Sequence, residues 1–161
     1  MDAIDLLRRQ HQEMEHAMGE VLDIEDPSQK KARFSEIADQ LTVHIASEEQ
    51  VFYPAVKAAR TEDILLESLE EHLSLKRLLA DLIDLDPTSQ TFDAKFKVLK
   101  EQTEHHHREE EENLFPKSHN LLDANRRNAL GDEMLKFQRT LDREGEPREL
   151  VTDQTDAAAP L

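Results

Sequence analysis

The chain has no cysteine, only three glycines and six prolines, a single tyrosine, and 4% aromatic residues among its 161 positions. Without cysteine, disulfides, thiolate nucleophiles and cysteine-based zinc or iron–sulfur sites are excluded. With few aromatics and no β-branched runs, strands have little support. No apolar run approaches the roughly 18 residues of a membrane span. The opening Met1-Asp2-Ala3-Ile4-Asp5 lacks the basic and apolar regions of a signal peptide, so a cytoplasmic location is expected. Positive charge is also scarce: 20 Lys and Arg against 36 Asp and Glu give a formal net charge of -16. Nucleic acid and anionic membranes are therefore not expected as partners.

What is present is helix-favouring: Leu, Glu, Ala, Lys, Gln and Arg dominate. The length suits one domain with a real core. Apolar residues recur at spacings of three and four. One segment carries Ile4, Leu7, Met14, Met18 and Val21, and the next Phe34, Ile37, Leu41 and Phe52. A third carries Leu65, Leu69, Leu75, Leu79 and Leu82, and a fourth Phe92, Phe96, Leu99 and Leu114. Asp26-Pro27 and Asp86-Pro87 read as helix starts, and Pro54 and Pro116 as interruptions. The pattern predicts an all-α, up-down antiparallel four-helix bundle over residues 1–120. An additional helix is predicted over 121–144, with Asp123 as its cap and Leu130, Met134, Phe137 and Leu141 as its apolar face. It could lie over the bundle or form a dimer contact. The polar residues 145–161 read as a disordered tail. A monomer or weak homodimer is expected.

The chain also repeats itself. Displaced by 62 positions, the second segment falls on the fourth: Phe34 on Phe96, Ile37 on Leu99, His44 on His106, Glu48 on Glu110 and Pro54 on Pro116. Displaced by 61, the first falls on the third: His11 on His72, Met14 on Leu75, Met18 on Leu79. Each half thus carries one lone histidine and one His-x-x-x-Glu. Residues i and i+4 stand about 40° apart on a helix, so His44 and Glu48 share a face. That face is the apolar stripe Phe34, Ile37, Leu41, His44, Glu48, Phe52, matched by Phe96, Leu99, Thr103, His106, Glu110, Leu114. His11 lies between Leu7 and Met14, and His72 between Leu69 and Leu75. Four imidazoles and two carboxylates aimed at one bundle axis are costly to bury unless paired or bound to metal. Two divalent ions would satisfy them. The donor set suits iron or manganese better than zinc.

The runs His44-Ile45-Ala46-Ser47-Glu48-Glu49-Gln50-Val51-Phe52-Tyr53-Pro54 and His106-His107-Arg108-Glu109-Glu110-Glu111-Glu112-Asn113-Leu114-Phe115-Pro116 resemble the signature of the hemerythrin-like HHE cation-binding family. With His11 and His72 the resemblance spans residues 1–120. It implies a non-haem pair of iron ions with an oxo or hydroxo bridge, held by His11, His44, Glu48, His72, His106 and Glu110. One position departs from the oxygen-carrying members, which have a further histidine four residues after His72. Here it is Lys76, and an ammonium cannot ligate. With both glutamates bridging, each iron has five donors and one open position. That symmetry suits a two-oxygen ligand bound across both irons. The expected function is reaction with hydrogen peroxide, catalase-like; the alternative is reversible binding of dioxygen or nitric oxide, or iron or oxygen sensing.

Other residues merit weighing. Glu13-x-x-His16 and Glu104-x-x-His107 have the spacing of ferritin-like sites, but Glu13 and His16 fall on the polar side of their helix. His105 and His107 flank His106 by about 100° and are expected at the surface or in outer hydrogen bonds. Glu49 and Glu111 are expected to be exposed, though one could orient a histidine. Glu15 is a marginal seventh ligand. Tyr53, which occupies the place of Phe115 in the repeat, is a candidate hydrogen-bond donor to the metal centre.

Overall fold

The computed structural model describes residues 1–161 and contains helices only. Four long helices form the bundle: α1 (Ala3–Val21), α2 (Pro27–Ser47), α4 (Glu62–Ile83) and α5 (Gln90–Glu109). Short loops join them, so sequence neighbours run antiparallel. Side-chain caps start three: Asp2 accepts from Ile4 N at 2.8 Å, Asp26 from Gln29 N at 2.9 Å and Ser89 from Phe92 N at 3.0 Å. The start expected at Asp86-Pro87 is therefore displaced to Ser89. Asp86 instead closes a local turn, accepting from the Thr88 amide at 2.8 Å and hydroxyl at 2.7 Å. That is the competing use of a short acidic side chain.

Both prolines follow a π turn rather than ending the helix. Glu48–Phe52 and Glu110–Leu114 are π-helical, with the Tyr53 amide bonded to Glu48 O and the Phe115 amide to Glu110 O. The short helices α3 (Tyr53–Ala55) and α6 (Phe115–Leu121) continue from them. Proline has no amide hydrogen, and its ring would strike the carbonyl four residues back in a regular helix. The wider turn relieves this, and it does so at the same register in both repeats.

The fifth long helix, α7 (Ala124–Glu144), is capped by Asp123, which accepts from Arg126 N at 2.8 Å. It packs along α1 and α2. Its buried residues are Leu130, Gly131, Met134 and Gln138, while Phe137 and Leu141 are only half-buried. Gly145 ends it at φ 82°, a conformation glycine adopts without cost. The predicted disordered tail is contradicted. Pro147–Asp153 form a 3₁₀ helix against α2 and α4, with Val151 in the core. Arg148 binds Asp39 through its amide at 2.9 Å and its guanidinium at 2.9 Å, and Arg77 holds Thr155 O at 2.9 Å. Polar composition concealed one well-placed apolar residue and two arginine anchors.

The apolar core is divided. One cluster centres on Phe34, Phe92, Phe96, Ile37 and Leu79, and the other on Phe52, Tyr53, Phe115, Leu65 and Leu7. Between them lies a layer of histidines and glutamates.

Candidate metal centre

His11 from α1, His44 from α2, His72 from α4 and His106 from α5 meet in that layer. Glu48 and Glu110 enter it from the first residue of each π turn. All six side chains are buried, none exposing more than 2% of its surface. The six residues singled out from the sequence repeat are thus brought together.

They form two overlapping groups. Donor atoms of His11, His44, Glu48 and Glu110 lie within 4.8 Å of one another, as do those of Glu48, His72 and His106. Glu48 Oε1 is 3.2 Å from His44 Nε2 and 3.3 Å from His72 Nε2. Glu110 Oε1 is 3.3 Å from His11 Nε2 and 3.5 Å from His106 Nε2. Each carboxylate therefore stands between a histidine of one half of the chain and a histidine of the other. Both oxygens of Glu48, Oε1 of Glu110 and the Nε2 atoms of His11 and His44 lack hydrogen-bond partners. Several orphaned buried acceptors in one place are costly. They fit a bound cation pair, which would satisfy all of them.

The electrostatics agree. Burial, then the neighbouring Glu110 charge, raises the Glu48 carboxyl well above the usual range. Burial acts the same way on Glu110, but the neighbouring His106, Glu48 and His11 outweigh it, so Glu110 is held well below that range. Without metal, Glu48 is therefore the carboxyl of the pair that favours its proton. Burial is opposed at His11 by Glu110 and Glu111, and its imidazole is raised. Burial and repulsion from His11 push His44 and His107 well down.

Tyr53 is fully buried at this layer. Its hydroxyl donates to Glu110 Oε2 at 2.8 Å and lies 3.2 Å from His72 Nε2. Burial, then the Glu110 and Glu48 charges, raises the phenol well above its usual range, so it stays protonated.

The nitrogens facing outward are also held. Nδ1 of His72 meets Glu49 Oε2, Nδ1 of His106 meets Glu71 Oε1, and Nδ1 of His44 meets Gln10 Oε1, each at 2.9 Å. This leaves Nε2 of each facing inward. Glu49, expected at the surface, is buried and paired with the buried Lys76 at 2.9 Å. Burial would raise its carboxyl, but the bonds from His72 and Lys76 lower it. Glu71, Gln10 and Gln138 were not anticipated; their mark in the sequence is a register of one residue before the lone histidine for Gln10 and Glu71.

His107 also departs from expectation in being buried. Its Nδ1 meets Glu15 Oε1 at 3.2 Å, and its ring lies parallel to His11 at 3.7 Å. Imidazoles sharing one ion at right angles hold their ring centres roughly 4.6 Å apart, given a metal–nitrogen bond of about 2.1 Å. Donor atoms of His11, His44 and His107 also lie within 4.8 Å of one another, and His107 Nε2 has no hydrogen-bond partner; the His72–His106 and His11–His44 separations of 4.7 and 5.0 Å suit a shared ion, whereas the His11–His107 rings are stacked in parallel. Glu15 thus reaches His107, not the centre. His16, Glu13 and His105 are exposed and Glu104 binds Lys100, so no ferritin-like set assembles. Glu111 is partly exposed, 3.8 Å from His11 Nδ1. A cleft of about 140 Å³ between α1, α2 and α7 reaches His44 past Gln10 and Gln138.

Comparison with known proteins agrees with this geometry. The description "Hemerythrin HHE cation binding domain" matches residues 2–118. A crystal structure of a hemerythrin HHE cation-binding domain-containing protein from Mycobacterium kansasii superposes with a TM-score of 0.79 at 18% identity, covering 94% of this chain and 98% of that one. A curated protein of Nostoc sp. named DNA nickase is 29% identical over 124 residues, which is 77% of this chain and 35% of that protein. The chain thus spans only about a third of that relative's length.

Proposed function

This chain belongs to the hemerythrin HHE cation-binding domain family, and on that premise we propose that it is a di-iron protein that disproportionates hydrogen peroxide to water and dioxygen. His11 and His44 would hold one ion and His72 and His106 the other, with Glu48 and Glu110 spanning both and an oxo or hydroxo group completing the bridge. The observation that carries the reading is the matched pair of imidazoles at each end, with Lys76 tied to Glu49 at 2.9 Å instead of supplying a further donor. Each ion would then have a coordination position left for a ligand. Iron, when bound, supplies reversible one-electron chemistry at each of two adjacent positions, the two electrons that each peroxide gives or takes.

The protein's own groups do the rest. Tyr53 holds Glu110 Oε2 and keeps its proton, so it orients the carboxylate without competing as a base. The two apolar clusters close the layer above and below, which excludes bulk water. The cleft of about 140 Å³ beside His44 has room for a small solute such as peroxide. A cytoplasmic, monomeric or weakly dimeric protein goes with this reading, and no helix is long and apolar enough to cross a membrane. DNA nicking describes a relative much longer than this chain, and a net charge of -16 offers no attraction to phosphates.

Iron-loaded protein should evolve dioxygen from peroxide well above a His72→Ala control. Equal rates would overturn the proposal. A reversible spectral change on exposing the anaerobically reduced protein to dioxygen or nitric oxide, with no peroxide turnover, would favour binding or sensing instead.

A further inference from the structure

The repeat extends to the residues behind the histidines, and there it breaks. Displacing Gln10 by 61 positions gives Glu71, and displacing Glu49 by 62 gives Glu111. The structure puts each pair in corresponding places. Gln10 stands behind His44 and Glu71 behind His106. Glu49 stands behind His72 and Glu111 behind His11. At the His72/His106 end both partners are carboxylates in hydrogen-bond contact, each at 2.9 Å. At the His11/His44 end one partner is a neutral amide and the other lies 3.8 Å away without a hydrogen bond.

This difference is built in. Lys76 Nζ fixes Glu49 from the far side at 2.9 Å. Gln138 of α7 fixes the Gln10 amide by reciprocal bonds of 2.7 and 3.2 Å, and is itself held by Ser47 at 2.9 Å. Gln10 therefore presents its oxygen, not its NH₂, to His44. A carboxylate that accepts the outer N–H raises the basicity of the opposite nitrogen, and such partners change metal affinity by about 10- to 100-fold. The weaker end also lies beside the cleft lined by Gln10, His44 and Gln138.

Resting on the metal-binding reading above, we propose that the two metal positions are unequal. The His72/His106 position fills first and holds its ion, and the His11/His44 position carries the exchangeable one. Gln10, Glu49 and Glu71 are the positioning residues that set the difference.

The test is an anaerobic titration of the chelator-stripped protein with cobalt(II), followed by its visible absorption. Two steps of one equivalent each are expected, with affinities about 10- to 100-fold apart. Glu49→Gln and Glu71→Gln should weaken the first step. Gln10→Glu should strengthen the second by about tenfold and narrow the gap, a gain that damage to folding could not produce. Should Glu49→Gln fail to fold, the partly exposed Glu71 and Gln10 variants carry the comparison. Two equal steps in the parent protein, Glu71→Gln acting on the second step alone, or a Gln10→Glu titration identical to the parent would each overturn the proposal. Failure to bind two equivalents at all would instead overturn the metal-binding reading on which it rests.

Discussion

Glu48 and Glu110 set the chemistry of the metal-free site: the first carboxyl is raised and the second lowered, so Glu48 is the one that favours its proton. His11, raised by Glu110 and Glu111 against its burial, also favours its protonated form. Both groups must be deprotonated before they can ligate. The sign follows: groups whose pKa is raised in the metal-free fold bind protons that metal expels, so affinity rises with pH until they titrate unaided. Apparent cobalt(II) affinity should therefore increase with pH, by up to tenfold per unit for each proton released, and level off once these raised groups titrate unaided. Titration in buffers of different ionisation enthalpy would count those protons; a pH-independent affinity would show that none are released. The residues behind this behaviour were legible in the sequence because ionisable groups on an apolar stripe stand out against the periodicity. His107 was not, because it lies about 100° from that stripe on its own helix. Only the packing of α1 against α5 shows that this flank is inside.

At the level of the element, α7 packs against the backbone at the start of α1 through Gly131. A Cβ there would collide with the backbone carbonyl of Met1 and touch the amide of Ala3. The start of α1 is thereby seated on α7, an arrangement reinforced by Arg127, which binds Asp2 at 2.7 Å. Gly131→Ala should displace the first turn of α1 and destabilise the protein by about 1–3 kcal/mol in denaturant unfolding. Gly19→Ala, with nothing near its added methyl, should instead stabilise by about 0.5–1 kcal/mol. The existence and boundaries of α7 could be read from Asp123 and its apolar spacing. Its inward face could be read only in part: Leu130 and Met134 are buried as expected, but Gln138 is buried where Phe137 and Leu141 are not, and nothing local marks a glutamine as the residue that holds Gln10 on another helix. The π turns were equally hidden. Pro54 and Pro116 announced a disturbance, but whether a helix ends or widens at a proline depends on what packs beyond it.

At the scale of the whole molecule, the C-terminal segment closes the outer surface of α2 and α4. Removing residues 146–161 would expose the patch under Val151 and free Asp39 from Arg148. The expected loss is about 2–4 kcal/mol, which lowers the melting midpoint by roughly 5–15 °C. Metal content should be unchanged, since the segment contributes nothing to the central layer. Calorimetry of the truncated chain beside its metal stoichiometry would check both parts.

The layer that divides the core has a topological consequence. Four helices from distant parts of the chain converge on it, and Glu110 meets His11 across almost the whole bundle. With metal bound, the centre is a cross-link that closes loops of up to about a hundred residues in the unfolded ensemble, a constraint on the order of 4–5 kcal/mol in chain-entropy terms. In a chain without cysteine, the metal centre would then serve as the fold's removable staple.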